Sequence, residues 1–361
     1  MTTIEKEWAE RVRAAAAAKT PLCLRGGGSK DFYGRTPVGE PFDLRANAGV
    51  VAHEPTELVV IVRGGTPLAE LEAALAARGQ YLPFEPPHFG AGATVAGCVA
   101  AGLSGPRRAN MGAVRDFMLG VKLMDGRGEV MKFGGQVMKN VAGYDISRLV
   151  AGSLGTLGIL LEVSLKVLPR PVAEATLRFE LDEPTALRRV NEWGGQPLPV
   201  SASLWHGGTL HLRLSGAEAA VRAAIERLGG EQLAPADAAA LWDGVCEHAA
   251  APFVLGPGEV LWRVSLPSTA PALALPGRQV VEWGGALRWV VAEGDGASAH
   301  GARIRTRAAE LGGHAAAFRG GDRGGEVFQP LSAPLASIHR RLKQAFDPAG
   351  IFNPGRLYPE F

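Results

Sequence analysis

Cysteine is scarce in this sequence, and so is any imbalance of charge. Cys23, Cys98 and Cys246 stand far apart with no C-x-x-C pair, which argues against disulfides, a structural zinc or an iron–sulfur cluster held by this chain. A reducing compartment fits that usage, and the cytoplasm is the expected location. Lys and Arg number 38 against 36 Asp and Glu, a net charge of +2, so nothing in the bulk electrostatics asks for nucleic acid or an anionic membrane. No apolar run reaches the ~20 residues of a membrane span. The opening MTTIEKEWAERVRAAAAAK alternates charges before a short alanine run, and so reads as an amphipathic helix rather than a signal peptide. Any attachment to a membrane is expected to run through a partner.

Glycine, by contrast, is abundant, with 48 in 361 residues, and three segments before residue 161 are dense in it. The first is LCLRGGGSKDFYG, Leu22 to Gly34. It lacks the spacing of a P-loop, because no glycine stands four residues before a Gly-Lys pair, and no helix of useful length follows as a dinucleotide fingerprint requires. Two readings stay open: a nest of backbone N–H groups around an anion, or an ordinary glycine-rich loop. The second segment, HFGAGATVAGCVAAGLSGPRRANMGAVRDFMLG from His88 to Gly120, combines small residues with Thr94 and the pair Arg107 and Arg108. The third, Val137 to Leu160, carries GSLGTLG before a strand-like run. Together they exceed what turn chemistry needs, and a long dinucleotide lying between two subdomains explains all three.

The length and the 47% hydrophobic content suffice for two cores. Residues 1–171 are rich in short β-type runs, with one clear helix in TPLAELEAALAARG and a hairpin in VKLMDGRGEVMKF whose tip is Asp125 to Gly128. After LPRP the texture changes to strands alternating with surface helices, which sets a second domain at 172–325. Residues 326–361, a basic amphipathic helix and a Gly/Pro-punctuated tail, form a closing segment. The expected class is α+β.

The motifs RGGGSK, GATVAGCVAAGLSG, GAVRDFMLG, KNVAGYDISRLVAGSLGTLGILLEVSLKVLPRP and FDPAGIFNPGRL occur in this order. In them the chain resembles flavoproteins of the vanillyl-alcohol oxidase type, the branch that includes D-lactate dehydrogenases. PPHFGAGATVAG, GPRR and VMKNVAGYD make it most similar to the FAD-binding subunits of glycolate oxidase. The resemblance covers residues 1 to 170 and the last ~30. It implies FAD held by a two-part N-terminal domain, with an α+β cap over the isoalloxazine ring and the C-terminal segment returning to the FAD domain.

Carried over by motif, Arg25, Gly26, Gly27, Gly28 and Ser29 would wrap the pyrophosphate. Gly92, Thr94, Val95, Gly97 and Gly102 would line the pyrophosphate and ribityl chain. Gly143, Gly158 and Ile159 would pass near the cofactor, and Asn353 would mark the C-terminal return to it. Arg115 and Asp116 are expected to brace the domain. The opening loop holds no histidine, so FAD is expected to be non-covalent. His206, His211, His248, His300 and His314 form no metal cluster in the sequence and are expected as surface or core residues. Arg107 and Arg108 are candidates for an anionic carboxylate, which suits their fork geometry, with a structural ion pair as the alternative. No residue is assigned a catalytic role.

The resemblance implies a subunit of a complex that oxidises glycolate, a small 2-hydroxy acid, to glyoxylate. Its partners would be a second flavoprotein and an iron–sulfur subunit that takes the electrons onward. A self-sufficient D-2-hydroxy-acid dehydrogenase and a non-catalytic assembly subunit with structural FAD are the alternatives. The basic helix SIHRRLKQAF and the RGGDRGGEVF loop before it are where a partner surface is expected.

Overall fold

The computed structural model describes residues 1–135, 145–294 and 298–361. Its first element is the helix Thr3–Ala18, started by a reciprocal cap in which Thr2 and Glu5 bind each other's backbone amides. That arrangement satisfies two N–H groups the helix itself cannot. The helix buries Trp8, Ala9, Val12 and Ala15 against Leu22, Phe42, Ile159 and Phe352.

Strand Leu22–Arg25 runs parallel to Glu40–Asp43, and the C-terminal tail bridges its other side at Phe352. There Leu22 donates to the Ile351 carbonyl at 2.7 Å and Asn353 donates to that of Leu22 at 3.0 Å. Beside this small sheet lies an antiparallel one in the order Val50–Glu54, Val59–Arg63, Ile159–Lys166, Met118–Met124, Val130–Gly134. Helices Leu68–Ala76 and Val95–Ala101 cover it, packing Leu68, Leu71, Leu75 and Val99 onto Val62, Leu123 and Val163. The expected hairpin is present: Asp125 Oδ1 accepts from the amides of Arg127 and Glu129, both at 2.9 Å, closing the turn.

From Ala173 to Arg319 the chain builds an eight-stranded antiparallel sheet. One face is covered by helices Glu183–Gly194, Glu218–Leu228 and Ala299–Glu310, with Trp193, Trp262 and Ile304 in the cores beneath. The other face carries Leu204, Leu261, Trp289 and Phe318 and packs toward the N-terminal part through Tyr33, Ala101 and Leu103.

Buried polar bonds stitch the two parts together. The Glu247 carboxylate accepts from the amides of His88 and Phe89, each at 2.7 Å. Trp283 Nε1 donates to the Gly105 carbonyl at 3.0 Å. The glycine-rich stretch after Arg319 is tied down as well, with Thr36 donating to the Arg323 carbonyl at 3.0 Å and Arg323 Nε to that of Gly34 at 3.1 Å. Helix Ala333–Phe346 then returns to the N-terminal part. Its Lys343 ammonium, buried beside Asp347, donates to the carbonyls of Thr156 at 2.9 Å and Phe352 at 2.6 Å. The opposite side of this helix exposes Leu335, Ile338, Arg340 and Arg341.

Candidate functional site

Strand Leu22–Arg25 delivers the loop Gly26–Ser29 onto the segment Gly92–Gly97, and the fit explains the glycines. A Cβ on Gly27 would lie 1.5 Å from the Gly92 carbonyl oxygen, and one on Gly26 2.3 Å from Thr94 Oγ1. Neither position admits a side chain. Gly28 adopts φ +74°, where glycine carries no Cβ penalty. Among the described residues the amides of Gly27, Gly28 and Ser29 donate to no protein acceptor. Three backbone donors in one short loop are the makings of an anion nest.

This loop forms one wall of a cleft of about 880 Å³, counting its open mouth. Arg25, Gly26, Gly27, Gly28 and Ser29 all line it, and Thr94, Gly97, Gly158 and Asn353 join them from the second and third glycine-dense segments and the tail. Thr94 caps helix Val95–Ala101 by accepting from the Gly97 amide at 3.2 Å, which leaves its hydroxyl proton free to donate. Asn353 spends its amide on the protein: Oδ1 accepts from Leu24 N and Nδ2 donates to the Leu154 carbonyl, both at 2.7 Å. It therefore clamps the cleft's two walls together, with one N–H and one carbonyl lone pair left over on the cleft's lining.

Other expected contacts stand elsewhere. Gly92 backs Gly27 from behind the wall. Val95 is 1% exposed and faces the sheet core, because the first residue of a short covering helix points down. Gly102 ends that helix at φ 66° and abuts Gly152. Ile159 is fully buried under the N-terminal helix, since the strand alternates and its neighbours Gly158 and Leu160 take the cleft side. Gly143 lies outside the described residues.

Gly155, at the expected strand entry Gly155 to Ile159, lines the cleft, whereas sequence reasoning missed Lys30, Leu154 and Arg356, which line it too. Lys30 is the most telling. Its ammonium donates to the His88 carbonyl at 3.0 Å with no carboxylate paired to it among the described residues, and burial lowers its pKa. Arg356 binds the carbonyls of Arg35 and Asp31 and is likewise held down by burial. Arg25 is paired with Asp31 at 2.6 Å. The cleft thus holds an excess of positive charge beside its free amides.

Arg107 and Arg108 part company. Arg107, 4% exposed, binds Glu85 at 2.8 Å and Ser215 at 3.0 Å, and also pairs with Glu174. The fork that a substrate carboxylate would need is filled by the protein's own carboxylates. Arg108 instead turns its guanidinium onto the ring of Trp283, 4.3 Å from its centroid. Arg115 pairs with Asp116 at 3.8 Å, and Asp116 closes its own turn by accepting from Ala113 N. His206 and His211 share a sheet face on adjacent strands, with His206 Nδ1 held against the Gln279 carbonyl at 3.0 Å. Among the described residues no group of three or more His, Cys, Asp or Glu is placed to hold a metal ion.

On the sheet face above the cleft, Glu282 is 3% exposed and accepts from Trp289 Nε1 at 2.6 Å. Burial pushes its carboxyl up to about 7. The folded state therefore binds a proton that the unfolded chain has released by about pH 4.5, so stability falls as pH rises from about 4.5 to 7 and is level above. We expect Glu282→Gln, which keeps the shape and an acceptor for Trp289, to remove that fall. The expected gain is up to about 3 kcal/mol at pH 8 and none at pH 4. Thermal unfolding across pH 4 to 8 checks it, and parallel curves for the two proteins would refute it.

Comparison with known proteins agrees with this geometry. Residues 2–134 match the model of an FAD binding domain, and residues 325–357 match the C-terminal domain of FAD linked oxidases. Solved structures of alkyldihydroxyacetonephosphate synthase superpose with a TM-score of 0.67 at 16% identity, over 97% of this chain and 74% of that one. The two domain matches place the chain among FAD-linked oxidoreductases. At the level of sequence, the chain is 50% identical to the glycolate oxidase subunit GlcE of Escherichia coli (strain K12), over 97% of this chain and 96% of that protein, and it belongs to that family. Shorter matches join it to the glycolate oxidase subunit GlcD of Bacillus subtilis (strain 168), 29% identical over 44% of this chain and 34% of that protein. A D-lactate dehydrogenase of Anaerostipes hadrus is 33% identical over 48% of this chain and 37% of its own length.

The residues present fit FAD. Free amides and the cations Lys30 and Arg356 suit a diphosphate, and backbone packed without side chains at Gly26 and Gly27 leaves the cleft open to a long ligand.

Proposed function

We propose that this chain is the FAD-binding subunit of a glycolate-oxidising complex, turning a 2-hydroxy acid into the 2-oxo acid and passing electrons to partner subunits. The observation that carries this reading is the match to GlcE along almost the whole of both chains. FAD, when bound, supplies the two-electron acceptance that the oxidation of a CH–OH group requires. The chain's own residues do the rest. The amides of Gly27 to Ser29 bind the diphosphate, Lys30 and Arg356 balance its charge, and Asn353 keeps the two walls at a fixed separation. Glu247, holding the amides of His88 and Phe89, and Trp283, holding the Gly105 carbonyl, keep the sheet seated over the cleft.

Three cysteines are fewer than the four thiolates an iron–sulfur cluster usually takes. The electrons are therefore assigned to an iron–sulfur partner, with a second flavoprotein completing the complex. The exposed side of helix Ala333–Phe346 is the surface assigned to such partners. We expect the isolated chain, loaded with FAD, to turn over glycolate or D-lactate with an artificial acceptor at least ~100-fold more slowly than the assembled complex, about 3 kcal/mol in transition-state terms. Steady-state rates measured side by side test this, and equal rates would favour a self-sufficient dehydrogenase. With Ser29 where a histidine would be needed for a covalent bond, acid precipitation is expected to leave the flavin in the supernatant. A yellow pellet would contradict non-covalent binding.

A further inference from the structure

Half-buried cations at a domain seam are normally met by carboxylates, and three arginines here are not. Arg108 comes from the N-terminal part, and Arg263 and Arg319 from the neighbouring strands Glu259–Ser265 and His314–Arg319. None of the three guanidinium groups makes a hydrogen bond or ion pair with a described residue. Each lies on an aromatic face instead. Arg108 and Arg263 sit 4.3 and 5.4 Å from the centroid of the same ring, Trp283. Arg319 sits 4.2 Å from Phe32 and 4.9 Å from Phe89.

Arg108 and Arg263 also act on each other electrostatically, and Arg263 and Arg319 are joined through His248. After burial, the charge of Arg263 is the largest influence holding Arg108 below the ordinary arginine range, and Arg319 and Arg263 both act on His248. His248 is 8% exposed, stacked on Phe253 at 4.3 Å and edge-on to Trp289 at 4.6 Å, the cross-strand partner of Arg263. Its Nδ1 is buried without a hydrogen-bond partner among the described residues, and its backbone is held at φ 51°, a conformation uncommon outside glycine. Burial and the two arginines keep the ring neutral.

Nearby arginines show that carboxylates were available to this seam. Arg107 and Arg213 are paired with Glu85, and Arg107 with Glu174 as well. Each of the three seam arginines has a carboxylate near enough to act on it, Asp116 on Arg108, Glu282 on Arg263 and Glu247 on Arg319, yet among the described residues none stands within ion-pair distance. Guanidinium groups laid on aromatic rings without such a partner leave room for an added anion.

We propose that Arg108, Arg263 and Arg319 form a receptor for a small carboxylate anion at the seam, with His248 as the buried polar group beside it. The planar fork of a guanidinium matches a carboxylate, and the aromatic surroundings suit a short organic acid. The ring of Phe89 links this receptor to the cofactor cleft, for it also carries the Lys30 ammonium at 5.7 Å, and Lys30 lines the cleft. Identifying the anion with the carboxylate of a 2-hydroxy acid rests on the function proposed above.

The test uses the full-length, FAD-loaded chain titrated with oxalate, which resembles the substrate and is not oxidised as an alcohol. Binding is followed by the flavin absorbance change and by calorimetry, with inorganic phosphate as competitor. Arg263→Gln and Arg319→Gln should each keep the flavin content of the parent and weaken oxalate binding at least tenfold. Arg263→Lys should recover part of the loss, and Arg222→Gln, on the exposed side of helix Glu218–Leu228, should change nothing. Lack of oxalate binding by the parent, or equal binding by the glutamine variants, would overturn the receptor. Phosphate binding as tightly as oxalate would overturn its assignment to carboxylates. Glycolate turnover by the assembled complex is read separately: turnover without oxalate binding removes the receptor and leaves the proposed function, and arginine-dependent oxalate binding without turnover does the reverse.

Discussion

Gly27→Val is expected to leave a folded protein almost free of flavin. The position takes no Cβ, since one would stand 1.5 Å from the Gly92 carbonyl oxygen and 2.8 Å from the Gly92 Cα, both of them backbone that cannot swing aside. The Gly27 backbone is not in the left-handed region, so the obstacle is this contact and not a forbidden angle. Relief requires the loop Gly26–Ser29 to move off the segment Gly92–Gly97, which carries the free amides away from the diphosphate and opens the cleft. FAD affinity is expected to fall at least ~100-fold, about 3 kcal/mol. Gly27→Ala, with the same Cβ and no further bulk, should behave alike. Flavin content after gel filtration, beside far-UV circular dichroism, decides: a folded variant with full flavin would show that the loop does not carry the cofactor.

Arg107→Met is expected to lower stability and to leave oxalate binding in place. Arg107 sits almost fully buried between Glu85 and Glu174, and removing it leaves two partly exposed carboxylates with one counter-charge fewer. Breaking a buried pair costs roughly 3–5 kcal/mol. The lower end, about 3 kcal/mol, applies here, because Glu85 keeps Arg213 at 2.8 Å and Glu174 is 43% exposed and can be solvated. Denaturant unfolding of Arg107→Met, Glu174→Gln and the double variant isolates the pair, for the double variant should cost less than the sum of the two single ones. A variant of parental stability with weakened oxalate binding would return Arg107 to the substrate.

The cleft was largely legible in the sequence because its main requirement is negative. A side chain is excluded at position 27 by the Gly92 backbone, at position 26 by Thr94 Oγ1 and at position 28 by a φ of +74°, and that exclusion is written as glycine at all three. The hairpin at Asp125 was legible for a similar local reason, since an aspartate side chain closes its own turn two residues on. The helix Val95–Ala101 was not. Seven residues are too few to hold a helix alone even with three alanines, and VAGCVAA keeps its shape because Thr94 caps it and Cys98 and Val99 are buried against the sheet. Val95 and Ile159 belonged to the right motifs but turn to the core, since direction along an element depends on what it packs against.

By itself the sequence determined the class of fold, the cofactor and part of the cleft's lining, because these are carried by short runs of the chain: a glycine loop after a strand, a threonine before a small-residue helix, a tail that repeats the family's motif. Tertiary structure alone decided what the charges do. Arg107 and Arg108 are adjacent and chemically identical, yet the first is taken by Glu85 and Glu174, 22 and 67 positions away, and the second faces Trp283 and the unpaired Arg263. A guanidinium's occupation is set by whichever carboxylate lies within about 4 Å in space, and which residues lie there is fixed only when the eight-stranded sheet folds back over the cleft.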